Sequence, residues 1–126
     1  MTARRLLGAA LAVLAFGAGA GSASAAGDPA KGLRIYARCG GCHAIDRNRV
    51  GPRHAGLLGR PAGSLADYDY SDAMRASGLV WDEATLDRFL TDPRDLVPGT
   101  KMGFAGVKDA AERADLIAYL KAATAP

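Results

Sequence analysis

Cys39-Gly40-Gly41-Cys42-His43 gathers two thiols and an imidazole within five residues. Two thiols at this spacing can reach the two vinyl groups on one edge of a porphyrin, and the next residue can offer its imidazole to the iron. C-x-x-C-H therefore reads as a c-type haem attachment site, with thioethers at Cys39 and Cys42 and His43 as proximal ligand. Two rival chemistries use the same thiols. A redox-active C-x-x-C pair calls for a βαβ setting, and this chain shows almost no strand pattern. A zinc site of four ligands would have to take both cysteines and both histidines, His43 and His54. A haem carrier of electrons also needs its second axial position filled, and Met74, Met102 and His54 are the side chains able to do it. Met102 follows Val97-Pro98-Gly99-Thr100-Lys101, a turn suited to aim it inward. Met74 falls in a short helical stretch, where methionine usually fills core space.

The elements that must position these groups read as helices and loops. Asp28-Pro29 is an N-cap followed by proline at the first helical position. The helix it opens carries Leu33, Ile35 and Tyr36 and is expected to run into Cys39. Gly32 lies four residues before Tyr36 on the same face. Residues 44 to about 69 read as a long loop rich in glycine, proline and arginine. Such a loop fits a compact domain if it wraps a cofactor. A short helix is expected from a Ser71 cap to Gly78. Another begins at Asp82, with Leu86, Phe89 and Leu90 at i, i+3, i+4 spacing, and Asp92-Pro93 ends it. The last helix is expected from about Asp109 to Ala122, with Leu116, Ile117, Tyr119 and Leu120 as its apolar face.

The chain has 126 residues. Arg4 and Arg5 precede an apolar run from Leu6 to about Ala20, followed by Gly21-Ser22 and Ala23-Ser24-Ala25, an A-x-A cleavage site. This is a secretory signal pattern over residues 1–25, with a mature domain over 26–126. The run falls short of the roughly 20 residues of a membrane span. No stable membrane insertion is expected after cleavage, and the protein is expected in the periplasm. The whole chain has 16 basic and 13 acidic residues. Without Arg4 and Arg5 the balance is 14 to 13, so the basic character belongs partly to the signal and gives a nucleic-acid partner no support. A mature chain of this size buries a modest core, to which a covalently attached macrocycle would add apolar surface.

The ordered motifs of the mature part resemble the class I cytochromes c, the group of mitochondrial cytochrome c and bacterial cytochrome c2. They include Gly27 to Gly32, Cys39 to His43, Gly51-Pro52 and Gly56 to Arg60. They continue through Tyr70 to Ala73, Gly78 to Trp81, Pro98 to Met102 and Arg113 to Leu120. The resemblance covers nearly the whole mature chain. It implies an all-α fold, helices and long loops wrapped around one covalent haem c. It implies Met102 as the second axial ligand and the Pro52 carbonyl as hydrogen-bond acceptor for the proximal imidazole. It implies Arg60, Tyr70, Trp81 and Thr100 as partners of the haem propionates, and a contact of Gly32 and Tyr36 with Leu116 and Tyr119. There are departures. Arg53 and His54 stand where the family usually has asparagine and leucine. His54 is left as a buried hydrogen-bonding group, a pH-sensitive modulator or a surface residue. Phe89 replaces a frequent tyrosine and Met74 a frequent polar residue, which dries the methionine side.

The expected function is one-electron transfer between redox proteins in the periplasm, by a monomer that docks transiently and is not itself an enzyme. Two alternatives stay open: a haem subunit relaying electrons for a periplasmic oxidoreductase, and a ligand-binding or sensing haem protein. Arg34, Arg38, Arg47, Arg49 and Arg53 flank the attachment motif, while aspartates concentrate later. This is either a dipole that steers docking onto an acidic partner or a solvated surface of mixed charge. Donor, acceptor and pathway are not written in the sequence.

Overall fold

The computed structural model describes residues 26–126, and four of the five helices in it begin at an aspartate. Asp28 caps α1 (Pro29–Tyr36), accepting from the backbone N–H groups of Ala30 and Lys31. Ser71 caps α2 (Asp72–Arg75) and Asp82 caps α3 (Glu83–Thr91). Asp92 caps α4 (Pro93–Leu96) and Asp109 caps α5 (Ala110–Ala123). Each cap satisfies backbone donors that no helical partner can reach, a contribution of about 1 kcal/mol apiece. The signal segment 1–25 lies outside the described residues.

The fold is the all-α class expected, with three differences of detail. First, α1 stops at Tyr36 instead of running into Cys39. Arg38 N donates to Ile35 O and Cys39 N to Tyr36 O, bonds of the i to i−3 kind that tighten the chain into turns before the two glycines. Second, the helix after Ser71 is shorter than expected. It ends at Arg75, and Gly78 sits at φ +68° in a separate bend. Third, Asp92-Pro93 both ends α3 and starts α4. Proline forces Asp92 into extended backbone (φ −160°, ψ 101°), which breaks the first helix, and the Asp92 carboxylate then caps the second. Among the described residues the only sheet-like feature is one bridge, Pro61 with Val80.

At eight residues α1 is too short to stand alone, and it is stabilised by packing across α5. A Cβ at Gly32 would overlap the carbonyl oxygen of Asp115 and lie 2.6 Å from Tyr119 Cβ. Only glycine lets the two helices approach this closely. The Asp28 N–H donates to Asp115 Oδ1 (2.7 Å), and the Tyr36 and Tyr119 rings meet with centroids 5.1 Å apart. Leu116 is fully buried beneath the joint. On its other side α5 holds α3 through Arg113. The Arg113 side chain is 11% exposed, reaching Asp87 Oδ1 (2.8 Å) and the carbonyls of Val107 and Lys108.

The long loop from 44 is fastened at both sides. His54 N donates to Ala44 O and Ala55 N to Ile45 O. Gly59 N donates to Trp81 O, Trp81 N to Arg60 O, and Ala62 N to Leu79 O. Asn48 bridges Arg53 N and Asp67 O, beside an Arg53–Asp67 ion pair of 2.7 Å. Among the described residues no helix is long and apolar enough to cross a membrane.

Candidate functional site

Cys42 N and His43 N both donate to Cys39 O, at 3.0 and 2.9 Å, winding the attachment motif into one helical turn. Residues at i, i+3 and i+4 of such a turn share a face, so Cys39, Cys42 and His43 point to one side. Cys39 is half-buried and Cys42 exposed. Burial pushes the Cys39 thiol up to about 11, against the pull of Arg38. The βαβ setting that a dithiol redox pair calls for is missing among the described residues, whose only sheet-like feature is the Pro61–Val80 bridge. The described residues also bring no three His, Cys, Asp or Glu side chains together as a metal cluster. The zinc and dithiol readings lose their geometric support.

The His43 ring is fixed by its neighbours. Nδ1 lies 2.8 Å from the Pro52 carbonyl oxygen. A carbonyl only accepts, so Nδ1 carries the proton and Nε2 keeps its lone pair, the form that binds a metal. Burial lowers the His43 pKa from its ordinary value, with the Pro52 bond acting the other way. Gly51 leaves room for the ring: a Cβ there would overlap Cε1 and come within 2.7 Å of both nitrogens.

His54 lies beside His43, with ring centroids 4.2 Å apart and planes 22° from parallel. Its Nδ1 is 2.9 Å from Tyr36 Oη. Burial above all, with the nearby His43 and Arg60 adding to it, pushes His54 down to about 3. Of the three roles left open for His54, the bond to Tyr36 and the stack on His43 favour the hydrogen-bonding group, here half-buried. Stacked against His43, it cannot stand opposite that residue as a sixth ligand.

All nine residues singled out from the sequence line one cavity of about 590 Å³: Cys39, Cys42, His43, Pro52, Arg60, Tyr70, Trp81, Thr100 and Met102. That volume is in the range of cofactor pockets, about 300–1,000 Å³. Its apolar wall includes Leu57, Leu86, Phe89, Leu90 and Leu116. Met74 lines it too, from α2. Met102 is delivered by the turn after α4, where Thr100 N donates to Val97 O and Met102 N to Thr100 Oγ1. The adjacent Lys101 is drawn away, its Nζ bonded to the Asp69 carbonyl (2.8 Å) and carboxylate (3.1 Å). Arg60 is held by the carbonyls of Ala55 and Arg53. Tyr70 and Trp81 are almost wholly buried, and neither Tyr70 Oη nor Trp81 Nε1 finds a hydrogen-bond partner among the described residues. The cavity is thus mostly apolar, with these few polar side chains at its lining.

Sequence reasoning missed the two-histidine stack and its tyrosine. It also left the arginine surface open, and the structure shows four of these five arginines bound locally. Arg38 pairs with Glu112, Arg47 with Asp46 and Arg53 with Asp67, while Arg49 donates to Gly40 O. Local pairing favours a surface of mixed charge.

A helical chain folded around such a cavity, with the attachment motif on its rim, is a c-type haem protein. The family model "Cytochrome c" matches residues 29–124. Cytochrome c2 of Rhodomicrobium vannielii is 50% identical over 102 residues, covering 79% of this chain and 82% of that protein. Cytochrome c of Gibberella zeae is 44% identical over 104 residues, 79% of this chain and 98% of the relative. The solved structure of cytochrome cH from Methylobacterium extorquens superposes with a TM-score of 0.74 at 48% identity, covering 76% of this chain and 99% of that one. The chain belongs to the cytochrome c family, electron carriers built on one covalently attached haem c.

Proposed function

We propose that this chain is an exported one-electron carrier of the bacterial periplasm, with haem thioethers at Cys39 and Cys42 and iron ligation by His43 and Met102. The observation that carries the reading is the cavity itself. His43 lines it with Nδ1 tied to Pro52, and the half-buried Met102 enters it from a pinned turn. When bound, the haem supplies a one-electron couple between ferrous and ferric iron.

The side chains do the rest. The Pro52 carbonyl fixes the His43 tautomer and raises its basicity as a donor. The Met102 thioether is a soft ligand that, paired with histidine, favours a raised potential. Arg60, Tyr70, Trp81 and Thr100 offer donors to two carboxylates that would be costly to bury alone. The apolar wall excludes water and, with both axial positions filled, leaves little to rearrange when an electron arrives. The A-x-A pattern at residues 23–25 supports export, and the bacterial cytochrome c2 relatives support the same setting. Transient docking with redox proteins, as a monomer, completes the reading. It assigns the chain no catalysis of its own.

A redox titration of the purified holoprotein, with spectra recorded throughout, tests it. A single one-electron transition between two low-spin, six-coordinate forms is expected. A five-coordinate high-spin ferrous form would overturn the carrier reading in favour of ligand binding.

A further inference from the structure

We infer that His54, anchored by Tyr36, is a positioning residue that sets the plane of the His43 imidazole and thereby the redox properties of the iron. The inference rests on the reading of His43 as an iron ligand.

A ligating imidazole can still turn about its bond to the metal, and a hydrogen bond to a carbonyl tolerates a broad range of directions. The Pro52 bond alone therefore does not fix the plane of His43, and the Gly51 backbone packs against the ring without any side chain. The His54 ring supplies the missing restraint by lying 4.2 Å away and nearly parallel. The stack is built in by the backbone. His54 N bonds to the carbonyl of Ala44, the residue after His43, and Ala55 N bonds to Ile45 O. The two histidines thus ride on paired segments. His54 in turn is held by Tyr36 Oη at 2.9 Å. Tyr36 belongs to α1 and packs against Tyr119 of α5, so its hydroxyl projects from the tightest joint of the fold. The plane of the proximal imidazole is thereby referenced to the α1–α5 joint.

An aliphatic side chain could fill the space of His54 without the cost of burying a polar ring. The bond from Tyr36 offsets that cost and also fixes which way the ring faces.

The test uses the holoprotein and the variants His54→Leu, Tyr36→Phe and the double variant. The readouts are the midpoint potential and the paramagnetic shifts of the four haem ring methyls in ferric protein, whose order and spread report the ligand plane. Wild type is measured first: a low-spin spectrum with shifted His43 ring protons must be present, and its absence would remove the underlying ligation instead. His54→Leu should shift the potential and change the methyl order or spread. Tyr36→Phe should change the methyl shifts in the same sense, and the double variant should add nothing to His54→Leu, as expected for residues acting as one unit. Wild-type methyl shifts and potential in both single variants would overturn the inference and leave His54 as filler. Tyr36→Phe keeps the ring and most of the packing, so it decides the matter even if His54→Leu fails to fold.

Discussion

Replacing Gly32 with alanine perturbs the joint on which Tyr36 stands. In an isolated helix the change would be favourable by about 1 kcal/mol. Here the added Cβ would overlap the Asp115 carbonyl oxygen and lie 2.6 Å from Tyr119 Cβ. Carbon atoms pack at about 3.5–4.0 Å, so α1 and α5 must part by about 1 Å, which forfeits part of every contact along the joint. The obstacles are backbone atoms and a Cβ, none of which can rotate away. The penalty therefore belongs at the upper end of the overpacking range, about 3 kcal/mol, and the net loss is about 2 kcal/mol. For a domain of this size that is a fall in melting temperature of about 8–16 °C. Thermal unfolding of the holoprotein followed by circular dichroism measures it. Gly41→Ala is the control, because a Cβ there meets nothing within 4 Å. A Gly32→Ala protein that melts at or above the wild-type temperature would refute the close-approach argument.

Two further outcomes are expected. The Asp69 carboxyl is held below its usual 3.8, first by the hydrogen bond from Lys101 and then by that from Arg75. A carboxyl depressed in the folded state stabilises it fully above the unfolded value, and that contribution disappears as pH falls through the folded one. The clasp on the Met102 turn should therefore hold at neutral pH and loosen only below 3.8. Asp69→Asn, which removes the carboxylate at neutral pH, should bind imidazole to ferric protein faster than wild type there; an unchanged rate in that variant would contradict the clasp. Expressed in a bacterium, the haem-loaded protein should begin at Ala26 by mass spectrometry; retention of residues 1–25 in that form would contradict export by cleavage.

Local chemistry was legible in the sequence, and contacts between distant residues were legible only in part. The caps at Asp28, Ser71 and Asp82 were readable because a cap bonds to backbone two or three residues away. Asp92-Pro93 ends α3 as read, and its second job, capping α4, went unread because one residue pair performs both. The attachment motif itself pointed to Cys39, Cys42 and His43, and family resemblance added Pro52, Arg60, Tyr70, Trp81, Thr100 and Met102, since their order along the chain carries the pattern. The His43–His54–Tyr36 arrangement joins residues 11 and 18 positions apart with no periodicity to betray it. Nothing in the sequence marks Arg113 as buried, yet its side chain is 11% exposed because α3 and the chain at 107–108 close over it. Such features depend on which segments meet, and only the folded backbone decides that.

The central claim is that Met102 closes the second axial position opposite His43 and so makes the protein a carrier. Carbon monoxide binding to the reduced holoprotein, compared between wild type and Met102→Ala, tests it most directly. Wild type should not bind the gas, and the variant should bind it readily with a shifted haem absorption band. A Met102→Ala protein no more reactive than wild type would show that another group holds the iron, and a reactive wild type would show that the position was open from the start.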